Sequence, residues 1–330
     1  MVETFEPKTD YKVVGTRPIR HDGYDKVTGR AIYGGDMKLP GLIWGVLVRS
    51  PHAHANIKSI NTSAAEASEG VMAIVTGADM PEAPSKLVDL GEGNVNFKWA
   101  SNKLMAGDKV LYHGHPVAAI AAVDRHHAEE AARKVVVEYE VLPSVTNVTD
   151  AMSDDAPVIL PDLVGDDLGE EITNTNIAEH MRHEFGDVEA AFAAAAHTIE
   201  REYNMEMVHQ GYIEPHNATA VWDEEDRIKI WTSTQGSFNA RTQVAGILQI
   251  DVSRVKVTPL EIGGGFGGKI PIYLEPVAAL LAKKSGRPVK MVMERSAVFE
   301  TTGPTPGGRM VIKLGADANG ILTAATADIW

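Results

Sequence analysis

Between Glu261 and Lys269 the chain reads Glu-Ile-Gly-Gly-Gly-Phe-Gly-Gly-Lys, with five glycines within the six positions 263–268. Such a run weakens both helix and strand, because glycine loses the most backbone freedom on ordering and offers no side chain to pack. It is suited to a loop whose backbone approaches a ligand closely and turns several N–H groups toward one point. A strand-like stretch, Arg254 to Thr258, precedes it, and an apolar, helix-compatible stretch from about Glu275 to Lys284 follows. Strand, glycine loop and helix in that order can bind anions and oxo groups.

Two nucleotide motifs partly fit. Gly263, Gly265 and Gly268 satisfy the dinucleotide fingerprint, and Gly263, Gly268 and Lys269 satisfy the phosphate-binding loop up to its last position. That position is Ile270, which has no hydroxyl for a magnesium ion. The acidic residue that a dinucleotide site needs about 20 positions on is first met at Glu294, some 26 residues past Gly268. A nucleotide-binding enzyme therefore stays open as an alternative.

More of the chain fits another pattern. Phe266 lies 31 positions after Gln235 (266 − 235), and a helical stretch from Ser237 to Gln249 and a strand from Val255 lie between them. Upstream stand Arg20-x-Asp22-Gly23-x-Asp25-Lys26 through Tyr33, then Arg49-Ser50-Pro51-His52-Ala53-His54, Val75-Thr76-Gly77-Ala78-Asp79 and His115-Pro116-Val117. Val137-Glu138-Tyr139-Glu140-x-Leu142-Pro143 completes the set. In this order, from about residue 13 to the end, the chain resembles the molybdopterin-binding subunit of the xanthine dehydrogenase and aldehyde oxidase family.

The resemblance implies an α+β protein: an α/β hammerhead domain, followed by the first part of the molybdopterin-binding domain with mixed sheets and packed helices. The expected division is an extension at 1–19, the hammerhead domain at 20–147, an acidic linker at 148–182 and the molybdopterin-binding part at 183–330. The implied cofactor is molybdenum–molybdopterin, with the cytosine dinucleotide form as one option, and no protein atom ligates the metal. Gln235 would hydrogen-bond an oxo ligand and help to orient substrate. Gly264, Gly265, Phe266 and Gly267 would line the cofactor, with backbone N–H groups of Gly265, Phe266 and Gly267 turned toward the oxo group and the Phe266 ring beside the pterin.

The family's reaction hydroxylates an activated C–H bond, in an N-heterocycle, an aldehyde or a related small molecule, with oxygen taken from water and a glutamate as base. That glutamate and an arginine-containing R-G-F-G segment lie in a part of the family's subunit beyond residue 330 here, so this chain alone is expected to be inactive. Partners are implied: the C-terminal half of the subunit, as in nicotinate dehydrogenase-like enzymes that divide it between two chains, a 2Fe-2S subunit and an FAD subunit. A non-catalytic cofactor-binding or assembly protein is the second alternative. Ile270 stands where purine-oxidising relatives carry a glutamate, which argues against a purine, and the lack of a reactive cysteine loop argues against carbon monoxide.

Composition narrows the field further. The chain has 330 residues and no cysteine, so it can form no disulfide and ligate no iron–sulfur cluster. Electrons would have to leave through another subunit. A formal charge of −14 disfavours nucleic acid, which requires clustered Lys and Arg. No run approaches the ~18 apolar residues of a membrane span, and the acidic Met1-Val2-Glu3-Thr4-Phe5-Glu6 start suggests a cytoplasmic protein.

Local signals predict strands at Leu42–Arg49, Val135–Tyr139, Ile199–Asn204, Asn217–Trp222 and Arg227–Ser233, and helices at Arg125–Lys134 and Asp187–Ala196. Ser63-Ala64-Ala65-Glu66 reads as a capping box. The acidic stretch from Thr146 to Asn176 reads as irregular. Asn319-Gly320 marks a hairpin between Arg309–Leu314 and Ile321–Trp330. An end inside that second strand is expected to mean that the ladder continues in other polypeptide. His52, His54, His113 and His115 read as structural. A metal role for His209 and His216 is weaker than an architectural one, with Glu214 holding backbone or arginine partners.

Overall fold

The computed structural model describes residues 11–91, 94–303 and 305–330. Twelve strands form the sheets that matter for the site: β1 (Ile43–Arg49), β2 (Ala55–Asn61), β3 (Val71–Thr76), β4 (Pro116–Ala122), β5 (Val136–Val141), β6 (His197–Met205), β7 (Asn217–Trp222), β8 (Ile228–Thr232), β9 (Val255–Pro259), β10 (Val289–Val292), β11 (Gly308–Ala316) and β12 (Leu322–Ile329). Four helices pack with them: α1 (Arg125–Ala132), α2 (Ser237–Leu248), α3 (Glu275–Ser285) and α4 (Arg295–Thr301). The architecture is α+β with mixed sheets.

The central sheet has seven strands in the order β9-β8-β7-β10-β1-β4-β3. Its two halves come from distant stretches of sequence and join where β1 runs parallel to β10, with Ile43 opposite Val289 and Gly45 opposite Met291. Strands from both 20–147 and 183–330 thus share one sheet and one core.

β4 explains how helices cover both faces. Its sequence, Pro-Val-Ala-Ala-Ile-Ala-Ala, is buried at every position, and its alanines let helices approach closely. α3 crosses one face, where Ala119, Ala121 and Leu281 belong to the main core. α1 covers the other, where Ala131 packs with Ile120 and Val46. Gly45 is required at the crossing, because a Cβ there would stand 2.8 Å from Met291 and 3.2 Å from Leu281. Full burial of Leu281 contributes about 1.5–3 kcal/mol on area grounds. α3 ends at Gly286, whose φ of 64° closes the helix in the left-handed region.

Two local expectations needed adjustment. The short helix Ser63–Glu66 has Thr62 at its N-cap position with no side-chain cap hydrogen bond, the Thr62 hydroxyl donating instead to the Glu66 carboxylate at 2.8 Å, so the expected capping box at Ser63 does not form. The acidic stretch is not wholly irregular: Gly165–Asp167 pairs with Glu170–Ile172 and with Glu179–His180 in a small sheet. The hairpin at Asn319-Gly320 forms as read, with β11 and β12 on its arms, and β6 joins the other side of β11.

Candidate cofactor site

The glycine loop leaves β9, beside β8, and the end of β8 leads through Ser233 and Thr234 to Gln235. Parallel pairing of β8 with β9, Thr232 opposite Pro259, brings the two strand ends to the same edge. Gln235 then meets the loop directly. Its side-chain Oε1 accepts from the amides of Gly267 at 3.0 Å and Lys269 at 3.1 Å, and its backbone amide donates to the Lys269 carbonyl at 3.0 Å. The loop folds back on itself through the Gly268 amide, which donates to the Gly265 carbonyl at 2.8 Å.

Sterics account for the glycines. A Cβ at Gly265 would stand 2.4 Å from Gln235 Oε1, one at Gly263 would stand 2.5 Å from Glu214 Cβ, and one at Gly268 would stand 2.7 Å from the Tyr212 ring. Gly264 and Gly267 have φ of 93° and 92°, and Phe266, at 50°, adopts the left-handed region without being glycine. That conformation turns the Phe266 ring outward, 74% exposed.

Behind the loop lies a pair that the sequence alone did not reveal. The Lys269 side chain is fully buried, and its ammonium meets Glu214 at 2.7 Å. Glu214 also accepts from the Gly263 amide at 2.8 Å, the Gly34 amide at 3.4 Å and Asn217 Nδ2 at 3.1 Å. It holds backbone, as expected, but its cation is Lys269 and not an arginine. Burial draws the Lys269 ammonium below its ordinary value, against the opposing pull of Glu214. The only sequence signal for the pair was a lysine closing a glycine loop, and nothing in its spacing names a partner 55 positions away.

Tyr212 forms the floor. It is 1% exposed, and its hydroxyl bonds His216 Nε2 at 2.7 Å and Thr302 Oγ1 at 2.8 Å, with His209 Nε2 on the same Thr302 oxygen at 2.9 Å. Arg295 of α4 donates to the Tyr212 carbonyl at 2.8 Å and to that of Ile213. Burial pushes His216 down to about 3, so it is neutral at physiological pH. His115 is likewise buried, pushed down to about 4, with Nε2 at 2.5 Å from the Asn102 carbonyl. Among the described residues, no group of three or more His, Asp or Glu is arranged to hold a metal ion.

The geometry weakens the nucleotide reading. α3 begins at Glu275, not directly after Lys269, and the Glu275 carboxylate accepts from the Tyr273 and Leu274 amides at 2.9 and 3.0 Å. The helix N-terminus already holds an anion of the chain's own, and the phosphate-loop lysine is neutralised by Glu214.

Comparison with known proteins decides the family. The model for the molybdopterin cofactor-binding domain matches residues 169–330, and that for the aldehyde oxidase and xanthine dehydrogenase a/b hammerhead domain matches 28–143. The chain belongs to the xanthine dehydrogenase and aldehyde oxidase family. It is 32% identical to a probable xanthine dehydrogenase protein of Bacillus subtilis over 93% of this chain and 38% of that protein. It is 29% identical to the nicotinate dehydrogenase large molybdopterin subunit of Eubacterium barkeri, over 97% of this chain and 71% of that protein. Quinoline 2-oxidoreductase from Pseudomonas putida 86 superposes with a TM-score of 0.83 at 27% identity, over 96% of this chain and 39% of that one. The chain thus spans about two fifths of the B. subtilis relative and of the solved quinoline enzyme. No helix among the described residues is long and apolar enough to cross a membrane.

Proposed function

We propose that this chain supplies one wall of the molybdenum–molybdopterin site of a molybdenum hydroxylase, with the catalytic glutamate brought by further polypeptide of the same subunit. The observation that carries the reading is the Gln235 carboxamide, locked across Gly267 and Lys269 at 3.0 and 3.1 Å. With its oxygen committed to the loop, Gln235 keeps its Nε2 hydrogens for a ligand. Gly265 is buried, and among the described residues its amide and that of Phe266 donate to no acceptor. A buried N–H without a partner is costly, so an oxygen-rich cofactor edge fits the Gly265 donor, with the amide of the exposed Phe266 beside it.

When bound, the molybdenum centre accepts the two electrons of the overall change RH + H2O → ROH + 2 H⁺ + 2 e⁻. This chain's residues prepare that step. Gln235 Nε2 and the amides of Gly265 and Phe266 are fixed donors toward an anionic oxygen, and such preorganised dipoles stabilise charge that grows during reaction. The exposed Phe266 ring offers an apolar face beside the pterin, and Gly264 and Gly267 let the backbone approach it. Glu214 and Lys269 hold the loop from behind without contact with substrate. Gln235, Gly264, Gly265, Phe266 and Gly267 are therefore the site residues. Ile270 favours an N-heterocycle, aldehyde or related activated carbon over a purine.

Electrons leave to 2Fe-2S and FAD partners, because a chain without cysteine holds no cluster. The cofactor's cytosine dinucleotide form and a cytoplasmic location, compatible with a chain that has no disulfide, belong to the same proposal. The test is native mass spectrometry of the protein purified from its own host, with molybdenum quantified on the same sample. About one molybdenum per copy, falling at least tenfold in Gln235→Ala, is expected. Protein without molybdenum would remove the reading, and cofactor bound without turnover in the full complex would favour an assembly protein.

A further inference from the structure

The sheet β6-β11-β12 stands apart from the central one, and its two faces differ. On one face Glu202 pairs with Arg309 at 3.0 Å, and Lys313 lies over Phe192 of the short helix Val188–Ala194. That helix end also packs close to Gly315, where a Cβ would stand 3.1 Å from Phe192 and from Ala195. This face is partly covered by that helix, and Glu202 and Arg309 form an ion pair on it.

The opposite face is apolar and, among the described residues, largely exposed, with its central strand half-buried. Register places Ile199 opposite Leu314 and then Ala325, and Tyr203 opposite Met310 and then Ile329. Side chains on such a face bury themselves against a second layer in a folded protein. Here Ile199 is 49%, Tyr203 50% and Ile329 67% exposed. All nine residues of β6 are exposed. The row between carries the single charge of the face, Arg201, opposite Ile312 and Ala327. Arg201 donates to the carbonyl of Glu200 at 2.8 Å, and among the described residues it forms no ion pair.

We propose that this face is the docking surface for the part of the molybdenum subunit that lies outside this chain: an apolar polypeptide surface carrying a carboxylate opposite Arg201. The occupant is argued from length and from charge. The chain spans 38% of the B. subtilis relative and 71% of the E. barkeri one, so relatives hold additional polypeptide. Its net charge is −14, so a second copy is repelled at long range, and Arg201 facing Arg201 across a two-fold axis would add a like-charge contact. An acid on an apolar surface complements this face; a membrane surface or nucleic acid does not explain one lone cation among aliphatic side chains. The proposal rests on the reading that further polypeptide of the same subunit completes the cofactor site.

The test uses the host-purified protein at whatever length it is made. Hydroxyl-radical footprinting is read at Tyr203, Met205 and Met310, with exposed Met181 as the internal reference, and molybdenum is measured in parallel. A photoreactive benzophenone placed at position 203 identifies what lies opposite. The expected result is oxidation of Tyr203 and Met205 at least tenfold slower than of Met181, cross-links to polypeptide of the molybdenum subunit outside these 330 residues, and weakened association in Arg201→Glu with unchanged circular dichroism. Oxidation of the face at the Met181 rate overturns the proposal, as do cross-links to a second copy of the chain or to an unrelated protein. A protected, cross-linked face in a preparation without molybdenum would sink the functional reading and leave the docking surface standing.

Discussion

Replacing Glu214 with glutamine isolates the pair behind the glycine loop. The carboxylate has two oxygens, and each faces donors only: Gly263 N and Lys269 Nζ on one, Gly34 N and Asn217 Nδ2 on the other. In Glu214→Gln, either orientation of the amide turns an NH2 toward two donors. The fully buried Lys269 ammonium also loses its counter-charge. Leaving a buried charge unpaired costs about 3–5 kcal/mol, and each lost hydrogen bond adds about 1 kcal/mol before relaxation. We expect Glu214→Gln to lower stability by about 4 kcal/mol or more. Lys269→Met should cost less, about 1–3 kcal/mol, since Glu214 keeps three neutral donors. The double variant should recover part of the Glu214→Gln loss, because it removes the orphaned cation. Urea unfolding of the host-purified protein, with the four states of the cycle compared, measures this. A cost under about 1 kcal/mol for Glu214→Gln, or a double variant less stable than Glu214→Gln alone, would refute the reasoning.

Other outcomes follow from the same geometry. Gly265→Ala should cut molybdenum content at least tenfold, because its methyl would lie 2.4 Å from Gln235 Oε1 and unseat the loop; metal analysis of the purified protein decides it. Gly34→Ala should fail to give folded protein, since its Cβ would fall 1.5 Å from Asn217 Oδ1, and soluble yield with circular dichroism reports on that. The buried histidines make the fold acid-sensitive. His216 and His115 sit at about 3 and about 4, against an ordinary 6.5, so below pH 6.5 the unfolded chain takes up protons that the folded one refuses. Each should remove up to about 1.4 kcal/mol of stability per pH unit as pH falls from 6.5 toward its folded value. A urea midpoint unchanged between pH 7 and pH 5 would contradict this.

The loop and its glutamine were legible because both signals are local. A strand end fixes Gln235, a glycine run fixes the loop, and family spacing links them. Residues paired over long distances in sequence were not. Glu214 and Lys269 carry no periodicity that marks them as partners, and a Glu before a Pro reads equally well as a turn. The central sheet was hidden for the same reason: β1 and β10 each look like ordinary buried strands, and their pairing is decided by what α3 and Gly45 allow to meet. β6 was placed correctly as a strand, but its alternation of Ile199, Arg201 and Tyr203 with Glu200 and Glu202 could not show that its apolar side would lie bare. In the acidic stretch the strands are only two or three residues long, too short for alternation to register.

The parallel seam between β1 and β10 also sets an order on biosynthesis. Ile43 must wait for Val289, a gap of some 250 residues, which a ribosome needs roughly 12–50 s to complete. Until then β1, β4 and β3 can form a small sheet with an open, hydrogen-bond-hungry edge at β1, the sort of edge that pairs with neighbouring chains. Ladders closed over such long distances also form slowly once the chain is free. The nascent protein is therefore most prone to aggregation just before its central sheet is sealed, and a chaperone that covers the β1 edge until residue 289 is made should raise the yield of folded chain, whereas slower translation ahead of residue 289 should lower it.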